Sequence, residues 1–359
     1  LAALLVAPVP RPFVAPLSAP MSDPRFIHLR VHSEFSITDG IVRLPALVAA
    51  AADDAQPAVA LTDLANMFGW IKFYKAARAR GVKPILGVDC WVTNADDRDR
   101  PSRLLLLARN HAGYLRLCEL VSRAWLENEW RGRGEIDPAW FDEDGEGVNG
   151  GLIALSGASA GEVGRALLAG QQDLAEAAAR RWAARFPDAF YLEVQRAGQP
   201  EDESHTRLAA ALALRLGLPV VATHPVQFVG RAEFRAHEAR VCIAEGEVLG
   251  NRRRARRFTE EQYFKSQEEM AELFADLPSA LANSVEIARR CSLPMTLGRP
   301  RLPDFPTPGG ESLDEYLRRL ASEGRVHTWC HPRSAPPRGP PRWSGGARGC
   351  RPRCRCRGR

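Results

Sequence analysis

No run of roughly 18 apolar residues occurs in the chain, so no stretch is suited to a membrane-spanning helix. Cysteine is sparse in the body. Cys90, Cys118, Cys242 and Cys291 stand far apart, which excludes a disulfide framework and suits a reducing cytoplasm. Acidic residues are absent from residues 325–359, where ten arginines fall, so a formal charge of +6 leaves −4 for the other 324 residues. The basic balance therefore belongs to the tail and defines no nucleic-acid face on the body. The tail also has hardly any aliphatic residue and cannot build a core. Its Cys330, His331, Cys350, Cys354 and Cys356 lack a standard zinc spacing. Its bias toward Arg, Pro, Gly and Cys is that of a frame-shifted GC-rich gene. We expect a disordered segment or frameshift product, with a basic nucleic-acid-binding arm as the alternative. At the other end, residues 1–23 have a seven-residue apolar patch with no basic stretch before it, and five prolines in the first twenty positions. A disordered leader or translated upstream sequence is expected there, with a weak signal peptide as the alternative.

What is present is enough for a large core: 359 residues, 45% hydrophobic and 26% charged. Short apolar runs alternate with helical periodicity. Strands are expected at Phe26–Val31, Pro57–Leu61, Lys83–Val92, Leu104–Ala108, Leu152–Ser156, Phe190–Val194 and Pro219–Thr223. Helices are expected at Ile41–Asp53, with Pro45 in its first turn, and at Asn66–Arg80, with Phe68, Ile71, Tyr74 and Ala77 on one face and Gly81 as the stop. Further helices are expected around Gly113–Glu127, Leu174–Phe186, Ser204–Leu216 and Ala232–Ala244. Strand-helix alternation implies parallel pairing with right-handed crossovers. The economical fold is a closed or nearly closed β/α barrel over 24–245, with an open doubly wound sheet as runner-up. Residues 246–324 read as a linker and helices, one of them entered through a Ser266/Glu269 capping box and separated from the next by Pro278.

His32, Asp63, Asp89, Glu193 and His224 each fall at or just past the end of an expected strand, and barrel strand ends converge on one mouth. Imidazole and carboxylate ligands so gathered would suit divalent metals acting on a phosphate ester. The plainer reading is that strand ends in any α/β protein are polar. His224 would rescue such a site or simply be hydrogen-bonded. Asn251–Phe258, with Arg252, Arg253, Arg254, Arg256 and Arg257, is a basic run able to hold phosphates or to remain a solvated loop.

Several long motifs carry a resemblance: HLRVHSEFSITDG, LTDLANMFGWIKFYKAARARGVKPILGVD, FYLEVQRAGQPEDE, PVVATHPVQF and FTEEQYFKSQEEMAELFADLPSALANSVEIARRC. In this order and spacing the chain resembles, from Pro24 to Arg319, the amino-terminal region of the bacterial DNA polymerase III alpha subunit family. That region is a polymerase-and-histidinol-phosphatase (PHP) domain. The resemblance implies a distorted seven-unit β/α barrel followed by helices leading toward a polymerase palm. It also implies DNA synthesis with Mg2+ on palm aspartates, with DNA and other replisome subunits as partners. No palm aspartate pair is expected from Asp304 to the terminus, where Asp304 and Asp314 read as ordinary loop and helix acids. This chain alone is therefore expected not to synthesise DNA. An error-prone polymerase paralogue is one alternative. A metal-dependent PHP phosphoesterase or 3′-5′ exonuclease is another.

Against the metal-binding pattern of that family, this chain departs repeatedly. Arg30 stands in place of the first His of His-x-His, Leu64 follows Asp63 in place of His, and Asp89 replaces Glu. Ala197 stands at a later His, and Pro225 and Gln227 stand in the final Asp-x-His. The residual ligand candidates are His32, Asp39, Asp63 and Asp89. A guanidinium cannot ligate a cation and repels one. The expectation is a vestigial site of Arg30, His32, Asp39, Asp63, Asp89 and His224, in which Arg30 pairs with Asp63 or Asp89 in place of a metal.

Overall fold

The computed structural model describes residues 23–329 apart from 144, 146, 252 and 301–304. The leader, most of the arginine-rich tail and Arg252 therefore lie outside the described residues. The chain divides into two compact units, one ending at Met295 and one beginning at Thr296.

The first unit is a mixed α/β barrel. Its elements in order are α1 (Leu44–Asp53), β1 (Ala58–Leu61), α2 (Trp70–Ala79), β2 (Lys83–Val92), β3 (Ser102–Ala108), α3 (His111–Glu127), β4 (Glu129–Trp130), β5 (Arg133–Ile136), β6 (Leu152–Leu155), α4 (Glu162–Leu168), α5 (Gln172–Arg185), β7 (Phe190–Val194), α6 (Asp202–Leu216), β8 (Val220–Ala222), α7 (Phe234–Glu245), α8 (Gln267–Leu273) and α9 (Pro278–Arg290). β1 pairs in parallel with β2, β6 with β7, and β7 with β8. The expected run of parallel pairings breaks at β3, which is antiparallel to both β2 and β6. Only residues 93–101 join β2 to β3, too few for the crossover a parallel neighbour needs. The β4–β5 hairpin, attached alongside β2, and the short α4 carry no clear sequence signal.

The ring closes through the expected first strand. Residues 26–33 are extended and hydrogen-bonded on both sides without forming a regular strand. His28 O and Val31 O accept from Ala60 N and Thr62 N at 2.9 and 3.0 Å on the β1 side. His32 N donates to Val226 O at 2.9 Å, and Val226 N to Arg30 O at 3.2 Å, beyond β8. Seven staves result, so both sheet edges find partners and the open-sheet alternative falls away.

α2 buries a face that overlaps only in part with the one its sequence suggests. Trp70, Phe73 and Ala77 are buried, whereas Phe68 precedes the helix and is 66% exposed. Of the expected face, Ala77 packs and Tyr74 is partly buried against the core, while Phe68 and Ile71 give way to Trp70 and Phe73. A large core side chain such as Phe73 contributes about 1.5–3 kcal/mol. α8 and α9 belong to the barrel unit and not to a separate segment after residue 245. Ser284 Oγ of α9 accepts from Ile27 N at 3.0 Å, and Asn283 Nδ2 donates to Val220 O at 2.7 Å. α8 begins with the expected capping box, Ser266 with Glu269. The second unit contains α10 (Leu313–Trp329), with two acids in its first turn.

Candidate functional site: a buried ionic cluster at the barrel mouth

β2 carries the centre of the site. Asp89 is fully buried in that strand, and three cationic side chains converge on it from two other segments, residues 26–33 and β3. Arg30 reaches it through Nη1, Arg103 of β3 through Nε at 3.0 Å, and His32 through Nε2 at 3.1 Å. Arg30 turns the rest of its fork on Glu193 of β7, with Nε and Nη2 donating at 2.9 and 3.0 Å to the two carboxylate oxygens. Glu193 also accepts from the Thr223 hydroxyl at 2.5 Å, Gln195 Nε2 at 3.0 Å and the Gly157 amide at 3.1 Å. His32 Nδ1 donates to Asp39 at 2.8 Å. Arg103 lies over the Trp91 ring, 4.2 Å from its centroid.

The charges balance, with Arg30, Arg103 and His32 against Asp39, Asp89 and Glu193. Burial opposes the charge on Arg30, but Asp89 and Glu193 more than offset it and raise its pKa. Burial likewise opposes charge on His32, yet Asp39 and Asp89 raise it to about 9, so it is an imidazolium at neutral pH. Asp89 is held well below the usual carboxylate range, since Arg103, Arg30 and His32 together outweigh its desolvation. Both nitrogens of an imidazolium are donors. Gln227 Nε2 lies 3.3 Å from Nδ1, whose one hydrogen is already directed to Asp39, and Gln227 Oε1 is buried without a partner.

Asp63 lies beside this cluster but outside its ion pairs. It accepts from Ser33 N at 2.6 Å, Ser33 Oγ at 2.9 Å and Ser36 Oγ at 3.1 Å. Among the described residues no cation pairs with it. Desolvation, only partly opposed by these donors, raises its pKa to about 6. Of the two partners expected for Arg30, Asp89 is found and Asp63 is not, and Glu193 completes the fork.

The loop joining His32 to Asp39 is tightly wound. Thr38 N donates to Ser36 O at 2.7 Å, closing a γ-turn on Ile37 with φ of 66° and ψ of −50°. Positive φ at a β-branched residue is costly. The turn returns the chain to Gly40, where a Cβ would meet His32 O at 2.3 Å, so only glycine fits.

His224 does not join the site. Its Nε2 bonds Glu261 O at 2.9 Å and its ring lies 6.2 Å from that of His28. Burial first, then His28 and Lys265, push its pKa well below the usual value, so it is a neutral structural histidine. Arg103, Thr223 and Gln195 were not singled out in the sequence. For Arg103 the signal was a lone charge opening the apolar run SRLLLLA. Its use depends on the antiparallel register that places it opposite Trp91. In the basic run, Arg254 pairs with Glu238, Arg257 lies 3.6 Å from Glu245, and Arg253 is exposed.

The residues present do not fit a metal. Among the described residues no group of three His, Cys, Asp or Glu side chains is arranged to hold one. The place between Asp89 and Glu193 is taken by a guanidinium that satisfies both carboxylates.

Residues 28–197 match the PHP domain family model, and this part of the chain is a PHP domain. The chain is 53% identical over 306 residues to DNA polymerase III subunit alpha of Neisseria meningitidis serogroup A, a match covering 85% of this chain and 26% of that protein. It is 50% identical to the same subunit of Pseudomonas aeruginosa over 299 residues, covering 83% and 25%. With the Escherichia coli K12 subunit it shares 44% over 304 residues, covering 85% and 26%. Over most of its length the chain is thus similar to the amino-terminal part of DNA polymerase III alpha subunits, and it spans about a quarter of the length of the curated relatives it matches. Among solved structures, an amidohydrolase from Chromobacterium violaceum with bound sulfate and no metal aligns at 18% identity and a TM-score of 0.39, covering 60% of this chain and 96% of that one.

Proposed function

We propose that this barrel serves a replicative DNA polymerase as a scaffold and partner-binding module, and that it is no hydrolytic centre. The observation that carries the reading is Arg30, bound to Asp89 and bidentate to Glu193 where metal chemistry would need a vacant carboxylate pair. A buried fixed charge there raises the cost of admitting a cation and occupies the carboxylate pair that would hold one. Template-directed synthesis, with Mg2+ held by palm aspartates, belongs to the longer polymerase. Its partners are DNA and other replisome subunits, and its setting is the cytoplasm. No described helix is long and apolar enough to cross a membrane. The exposed arginines of the 253–257 run are the candidate contacts to a nucleic-acid backbone.

Metal analysis of the purified chain, together with hydrolysis of a phosphodiester in added Zn2+, Mg2+ or Mn2+, tests this reading. The expected result is substoichiometric metal and no turnover. Stoichiometric metal with turnover, both lost in Asp63→Ala, would overturn it. Primer extension by this chain is expected to incorporate no nucleotide.

A further inference from the structure

α7 and the segment after it enclose a small cleft lined by His237, Glu238, Arg254, Arg256, Arg257 and Phe258. His237 is fully buried, with its ring centroid 5.3 Å from that of Phe228 and 4.8 Å from that of Phe258. Neither of its ring nitrogens has a hydrogen-bond partner, and Nε of Arg254 is likewise buried and unused. A neutral imidazole always carries one N–H to give, and leaving it unpaired in the interior is costly. Three guanidiniums therefore face a single lining carboxylate, Glu238, with unused donors at the cleft floor. The acids hold the outer two loosely: Arg256 lies 3.9 Å from Glu238, and Arg257 3.6 Å from Glu245. Those two side chains are 66% and 70% exposed, so they can swing outward with little lost. The enclosed part has room for about one water molecule, and rotation of the two exposed arginines would widen it.

We propose that this cleft seats a single phosphate group, free or as an ester, gripped by Arg254, Arg256 and Arg257 with an N–H of His237 beneath it. A tetrahedral phosphate has enough oxygens to accept from three forks and an imidazole together, whereas a carboxylate has two. The inference rests on the reading of the basic run as a phosphate contact, and it names the pocket that run completes.

The test titrates the full chain with inorganic phosphate against sodium chloride of equal ionic strength, following the His237 imidazole nitrogens by NMR. Saturable movement of those signals is expected. Arg256→Gln/Arg257→Gln, both on exposed side chains, is expected to weaken binding about tenfold or more. Unmoved imidazole signals, or equal affinity in the double variant, would mean that only a buried water serves His237 and would sink the seat. A second arm measures binding of a short single-stranded oligonucleotide with and without a 5′-phosphate. Oligonucleotide binding with an unmoved His237 removes the seat and leaves the basic-run reading standing. A phosphate response that no oligonucleotide competes with keeps the seat for free phosphate and removes the basic-run reading. Silence in both arms removes both.

Discussion

Asp89 and Asp63 occupy the two halves of one barrel mouth. The chain joins them closely: Asp89 N donates to Asp63 O at 3.2 Å across adjacent strands. Asp89 meets two guanidiniums and an imidazolium, and its acidity is strengthened. Asp63 meets hydroxyls and one amide, and its acidity is weakened to about 6. Equal burial thus gives opposite outcomes, because desolvation raises a carboxylate pKa, the neutral donors at Asp63 only partly oppose it, and the full positive charges at Asp89 outweigh it. Here guanidiniums serve one half and leave the other to neutral donors.

The comparison breaks most severely at Arg30. Arg30→Met leaves Glu193 and Asp89 buried with much of their compensation gone, and is expected to cost about 3–5 kcal/mol in denaturant unfolding. A loss below about 1 kcal/mol would show that the cluster is solvated and not a dry substitute for a cation.

The next effect is a pH dependence from His32. Its folded pKa, about 9, lies above the ordinary 6.5, so the folded state binds this proton more tightly. Its contribution is complete below about pH 6.5 and is lost as pH rises through about 9, on the order of 3 kcal/mol. Stability measured across that window in the unmodified chain and in His32→Gln checks this. The slope should disappear in the variant.

One substitution made in both halves sharpens the contrast by sign. Asp89→Asn should destabilise, whereas Asp63→Asn should stabilise by about 1–2 kcal/mol above pH 7, since it removes a buried charge without a cation. Asp63 binds its proton more tightly folded, so the chain itself gains stability as pH falls from about 6 toward 4. The advantage of Asp63→Asn should shrink over the same range. Matching signs at the two positions would refute the division of the mouth. The smallest effect is at the turn between the halves, where Ile37→Gly relieves a positive φ and should gain about 1 kcal/mol in thermal or denaturant unfolding.

The strand and helix rhythm was legible because apolar runs of strand length and helical periodicity report burial directly. Phe190–Val194 and Leu44–Asp53 fall where the pattern puts them. The α2 start was misplaced, because Asn66 and Phe68 look helical although Asn66 instead ties the loop through Phe35 O and Leu64 O. The antiparallel β3 was illegible for another reason. Strand direction depends on what the connection allows, and SRLLLLA reads alike both ways.

The sequence by itself determined that a cation-binding set was incomplete, since Arg30, Leu64 and Ala197 offer no lone pairs wherever the fold puts them. Only the tertiary structure decided how the deficit was met. It chose Asp89 and Glu193 over Asp63, brought in Arg103 from an antiparallel strand, and left His224 to a backbone carbonyl. Residue type fixes what a side chain can donate or accept, but pairing energy depends on distance and burial, and those exist only once strands distant in sequence share one mouth.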